Sequence, residues 1–132
     1  MTTPELDLPD TTTPTETIAE VAARTGVSAH TLRYYERIGL LTVPRDHAGR
    51  RLYTADDVDR VVFITRLRQT DMPIRDIQRY FTLVAEGAST EQERLELLLH
   101  HREAVQARLD ALHRALDVVD YKITKYGGSA RP

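Results

Sequence analysis

The sequence predicts a mainly α-helical fold: short, well-capped helices around one hairpin, then a single very long helix. Three observations carry this expectation. Capping signals and glycines cut residues 17–86 into short helical segments. The stretch "LLTVPRDHAGRRLYT" breaks the helical pattern with turn residues. From Leu95 to Tyr126, ten positions recur at spacings of 3 and 4, nine of them apolar or aromatic and the tenth Arg102.

The chain begins with "MTTPELDLPDTTTPTE", which carries Glu5, Asp7, Asp10 and Glu16 and no base. Rich in Thr and Pro and short of large apolar residues, residues 1–16 are expected to be a disordered tail. Order is expected from Thr17. "TIAE" is a capping box, with Thr17 as N-cap and Glu20 reaching back. The first helix covers about Ile18 to Thr25, and Gly26 supplies a left-handed turn. Ser28 caps a second helix that runs to about Ile38, where Gly39 ends it. Two short helices around a glycine turn make a helix-turn-helix candidate.

Leu41–Val43 and Arg51–Tyr53 read as short β arms around Asp46, His47 and Gly49, a hairpin wing. Thr54 to Asp57 is a second capping box, opening a helix to about Gln69. Pro73 starts a fourth helix that reaches Glu86. Gly87 ends it, and Ser89 and Thr90 cap the last helix. That helix presents Leu95, Leu98, Arg102, Val105, Leu109, Leu112, Leu116, Val119, Ile123 and Tyr126 along one seam. Residues 91–126 at ~1.5 Å each make a rod roughly 54 Å long. The body before it is too small to cover such a rod, so the seam calls for a second copy in a homodimer. Residues 128–132 are expected to be a second disordered tail. The domain expectation is therefore a winged helix-turn-helix over 17–86 and a coiled-coil dimerisation helix over 87–127.

Charge is distributed unevenly. The net charge is −2, yet residues 17–80 hold eleven arginines against eight acids, a surplus of three. Arginine makes planar, bidentate contacts with phosphates and guanine edges. With no cysteine in the chain, disulfides, thiolate metal sites and thiol sensing are excluded. No catalytic motif is present, and neither an enzyme activity, a cofactor nor a metal is expected. His100 and His101 are adjacent on a helix and diverge by about 100°. No run is long enough to span a membrane.

The second helix contains "TLRYYERIGLL". At about 100° per residue, with Leu32 at zero, Tyr35 and Ile38 fall on the Leu32 side. Arg33, Arg37 and His30 form the opposite arc, with Tyr34 at its edge. Tyr35 is expected in the core and Tyr34 beside a basic surface. Such an arc suits a recognition helix in the DNA major groove, and equally an ordinary solvated face with an Arg33–Glu36 pair. The cluster of Arg45, Arg50 and Arg51 in the adjoining hairpin favours DNA, as a clamp on the backbone.

The order of these elements resembles the MerR family of bacterial transcription regulators. The likeness rests on "TIAEVAARTGVSAHTLRYYERIGLL", the wing "GRRLYTADDV", "FITRLRQTDMPIRDIQRY" and the single long helix. The tail is similar to small members of the aldehyde-responsive branch. The resemblance implies a winged-helix homodimer joined by an antiparallel coiled coil. It also implies a palindromic promoter operator, bent and untwisted so that RNA polymerase engages both promoter elements. By motif position, Arg33, Tyr34, Arg51 and Tyr53 are expected to contact DNA, joined by Ser28, His30, Thr31, Arg37 and Arg50. Dimerisation is expected through Leu98, Val105, Leu109, Leu112, Leu116, Val119 and Ile123. Family members that sense metals or aldehydes through cysteines have no counterpart here; Arg66 stands in the helix where one branch carries such a cysteine. An unknown small-molecule effector is expected, near Tyr80, His100 and His101, in a cytoplasmic, nucleoid-associated protein. An excisionase-like architectural factor is the rival within DNA binding, and a coiled-coil adaptor the rival outside it. The former lacks the long helix, and the latter shows no salt-dependent DNA binding.

Overall fold

The computed structural model describes residues 10–129. The chain divides into two compact units, Met1–Thr82 and Leu83–Pro132.

In the first unit, α1 (Ile18–Thr25) and α2 (Ala29–Arg37) form the helix-turn-helix. Thr17 and Glu20 close the expected box: the Glu20 amide donates to Thr17 Oγ1 at 3.2 Å, and Glu20 Oε1 accepts from the Thr17 amide at 2.9 Å. That hydrogen bond lowers the Glu20 carboxyl below its ordinary range. Gly26 ends α1 at φ +75°, where an L side chain is strained, and its N–H returns to Ala22 at 3.0 Å. Then come α3 (Ala55–Gln69) and α4 (Ile74–Glu86). Thr54 and Asp57 cap α3 reciprocally at 2.9 and 3.0 Å.

The apolar periodicity is spent on one core. Val21, Leu32, Leu40, Val61, Ile64 and Ile77 are fully enclosed, and Tyr35, Leu41 and Val58 nearly so. Phe63, Tyr80 and Phe81 join α3 to α4 edge to face, and the Arg60 guanidinium sits 4.5 Å from the Phe81 ring centre. Gln78 on α4 donates to the Ile38 carbonyl at 3.0 Å, tying down the end of α2.

Three expectations need correction here. Leu41–Val43 is not a ladder strand: Leu41 and Val43 are buried in the core, and pairing starts only beyond them. The hairpin arms are instead Pro44–Asp46 and Arg50–Leu52. Leu52 N donates to Pro44 O (2.9 Å), Asp46 N donates to Arg50 O (2.8 Å), and Arg45 bridges Arg51. On its other edge, β2 (Leu52–Tyr53) pairs antiparallel with β1 (Glu16–Thr17). The N-terminal segment is therefore tied down in its described part. Thr15 N donates to Tyr53 O at 3.0 Å, Thr11 O accepts from Asp56 N at 3.1 Å, and Glu16 pairs with Arg24. Backbone pairing supplies order there without apolar side chains. Residues 1–9 and 130–132, expected to be disordered, lie outside the described residues.

The second unit holds the end of α4, a 3₁₀ turn (Ala88–Thr90) and α5 (Glu91–Lys125), 35 residues long. Thr90 does not cap α5 as expected. Its hydroxyl donates back to the carbonyls of Leu83 and Gly87, at 2.6 and 2.8 Å. No residue of α5 is buried in the single chain.

Candidate nucleic-acid interface

The candidate site lies where α2 meets the wing. Leu32 and Tyr35 are buried, which fixes the rotation of α2. His30, Arg33 and Arg37 are consequently exposed and Tyr34 half-buried. The two tyrosines therefore divide as their 100° separation requires, with ring centres 6.3 Å apart. Arg37 lies over the Tyr34 ring at 5.5 Å, close enough for a cation–π contact that orients both side chains. Ser28 Oγ accepts from the Thr31 amide (3.1 Å) and meets Thr31 Oγ1 (3.0 Å), so these hydroxyls begin the helix as well as facing outward.

The wing is shaped by Asp46. Its carboxylate accepts from the backbone N–H of Ala48 and of Arg50, each at 2.9 Å, and from Arg50 Nε at 3.0 Å. The Arg50 amide above all holds the Asp46 carboxyl below the usual carboxylate range. Gly49, at φ +80°, lets the chain reverse. This turn brings Arg50 and Arg51 beside α2. Arg33, Arg45, Arg50 and Arg51, with Gly49, Thr17 and Ile18, line one open cleft of about 320 Å³. These four guanidiniums, set against the carboxylates of Glu36 and Asp46, keep a positive surplus around one concavity, suited to phosphate oxygens.

Of the sequence-predicted residues, Arg33, Arg50 and Arg51 line this cleft, Ser28, His30, Thr31, Tyr34 and Arg37 lie along α2, and Tyr53 stands apart. Tyr53 is fully buried (0% exposed), so its assignment as a DNA contact is corrected. Its hydroxyl has no hydrogen-bond partner, and burial pushes the phenol above its ordinary range. Arg51 and Tyr53 do share a strand face, being two residues apart, but that face points inward. Arg51 regains the surface through its length, at 25% side-chain exposure. In place of the Arg33–Glu36 pair that an ordinary solvated face would carry, Glu36 takes partners from the wing. Glu36 Oε1 accepts from Arg51 Nε at 2.6 Å, and Glu36 Oε2 faces Arg45 at 3.5 Å. The available signal was Glu36's place four residues after the buried Leu32, on the inward edge of α2.

A family pattern for MerR helix-turn-helix regulatory proteins matches residues 17–83, and one for MerR DNA-binding regions matches residues 58–120. The chain belongs to the MerR family. Among its relatives is an HTH-type transcriptional regulator of Haemophilus influenzae, 36% identical over 113 residues, spanning 85% of this chain and 84% of that protein. Among solved structures, the MerR family regulator HiNmlR, which lacks the sensor domain and is bound to promoter DNA, is 36% identical with a TM-score of 0.76. That match covers 84% of this chain and 89% of HiNmlR. A MerR family regulator from Bacillus thuringiensis is 28% identical at TM-score 0.74, covering 84% of this chain and 98% of its own. These MerR structures share the winged helix-turn-helix and the long helix. Among the described residues, no helix is long and apolar enough to cross a membrane.

Proposed function

We propose that this MerR family member is a homodimer that binds a palindromic promoter operator in double-stranded DNA and distorts it to control transcription. The observation that carries the reading is the cleft of four arginines set against the exposed arc of α2. In this reading α2 enters the major groove with Arg33, Arg37, His30 and Tyr34 toward base edges and phosphates. Ser28 and Thr31 begin that helix within reach of the backbone. Arg50 and Arg51, with Arg45, hold phosphates from the wing. Guanidiniums displace counterions and so supply salt-dependent affinity; α2 supplies sequence.

Residues 17–86 then act as the DNA-binding part and residues 87–127 as the dimerisation part. The seam of Leu98, Val105, Leu109, Leu112, Leu116, Val119 and Ile123 pairs with its copy as an antiparallel coil. The coil fixes the spacing of the two half-sites, as a dimer with two-fold symmetry requires. Distorting the base pairs between them brings both promoter elements into register for RNA polymerase, a form of indirect readout. A small-molecule effector biases that distortion. The protein acts by binding, without catalysis, at the nucleoid in the cytoplasm.

Replacing Arg33 and Tyr34 together by Ala tests the interface. Fluorescence anisotropy on an operator duplex should show binding lost while sedimentation still shows the dimer. Equal affinity of variant and parent contradicts the reading.

A further inference from the structure

The recognition helix carries a carboxylate that its proposed ligand should repel. Glu36 stands on the same helix as Arg33 and Arg37, and next to the cleft that four arginines line. A carboxylate near a polyanion costs affinity for every DNA sequence alike. Its contacts supply a compensating role.

Glu36 takes both arms of the wing hairpin. Oε1 accepts from Arg51 Nε at 2.6 Å, across 15 residues of chain, and Oε2 faces Arg45 at 3.5 Å, across nine. Arg45 and Arg51 are themselves opposed as a bridge pair in the hairpin. The hairpin's backbone bonds, Asp46 to Arg50 and Leu52 to Pro44, close it on itself. The two Glu36 ion pairs instead join the hairpin to the recognition helix. The Glu36 side chain is only 20% exposed and that of Arg51 25%, so the closer pair is partly shielded from solvent. The pair uses Nε, the donor nearest the stem, among the five that a guanidinium owns.

We propose that Glu36 is a positioning residue that sets the wing arginines Arg45 and Arg51 against α2 and thereby raises DNA specificity. The inference rests on the DNA-binding reading above. With both guanidiniums tied to α2, the wing grips phosphates only where the bases under α2 also fit. Any phosphate that approaches out of that register must compete with Glu36 for the same two cations. Glu36 thus penalises non-specific DNA more than the operator.

The test uses the full-length dimer and two duplexes. One is selected by the parent protein from a random pool, and the other is a shuffled sequence of the same composition. In Glu36→Gln, affinity for the shuffled duplex should rise about tenfold. Affinity for the selected duplex should stay level or fall, so that the ratio drops at least tenfold. The salt slope on shuffled DNA should steepen by about one to two, as freed arginines displace further counterions. A residue that merely stabilised the fold weakens both duplexes together and leaves the ratio unchanged, and that result overturns the proposal. Glu36→Asp keeps the charge but shortens the reach, and serves if Glu36→Gln fails to fold. Its ratio should also fall, and a parental ratio overturns the proposal. A parent that shows no preference for its selected duplex overturns the DNA-binding reading itself.

Discussion

The first unit and α5 use apolar residues in opposite ways. Around α1–α4, the periodic apolar positions are enclosed by their own chain: Leu32, Ile64 and Ile77 have no exposure at all. Along α5, a seam interrupted by Arg102 stands open, with Ile123 at 38% exposure and Leu112 at 63%. Burying a Leu or Ile side chain stabilises by about 1.5–3 kcal/mol, so a seam left in water forgoes a large part of what its sequence offers. One region completes its core alone, whereas the other leaves its seam open for the second chain of the proposed dimer. In the proposed dimer folding and assembly are separable, and variants should affect one without the other.

The largest expected effect breaks the seam. Leu109→Lys with Leu116→Lys puts charges into both copies of the interface, and sedimentation should find monomers with the first unit still folded. Intact dimers contradict the assignment of the seam. Next comes the self-contained core. Ile64→Ala leaves a cavity under α3 and should destabilise by about 2–5 kcal/mol in denaturant titration. In contrast to the seam variant, the loss should not depend on protein concentration once the dimer is saturated.

A smaller effect sharpens the boundary between core and interface. Tyr53→Phe removes a buried hydroxyl that has no partner. Stability should change by no more than about 1 kcal/mol, with operator affinity unchanged. A large loss of binding restores Tyr53 to the DNA contacts. The smallest effect is that of acid on the wing. Asp46 has a folded pKa below its unfolded value, near 4. Its contribution is thus fully present above that unfolded value and is lost as pH falls through the folded one. Protection factors of the Ala48 and Arg50 amides should fall as pH drops below that unfolded value, before those of the core amides.

Much of this was legible in the sequence because it is local. Thr17 with Glu20, Thr54 with Asp57, and Gly26 each fix a helix end through neighbours three or four residues away. The 100° step likewise separated Tyr34 from Tyr35. What the sequence hid is non-local. Pairing of Glu16–Thr17 with Leu52–Tyr53 joins segments some 36 residues apart, and no composition signal marks an acidic, Thr-rich stretch as a strand partner. Leu41 and Val43 alternate as a strand does, yet their alternation serves burial rather than pairing. Glu36 reads equally as a partner for Arg33 on its own helix; only the folded hairpin brings Arg51 nearer. At the site, the residue types and the helix face were legible, while the depth of Tyr53 and the cross-link from α2 to the wing were not.

The central claim is that two such heads, spaced by the α5 seam, grip one DNA duplex symmetrically. Hydroxyl-radical footprinting of the full-length protein on its selected duplex tests it most directly. The account predicts two protected patches related by a two-fold axis, flanking a central stretch of altered reactivity. A single unsymmetrical patch, or no protection even at low salt, contradicts it.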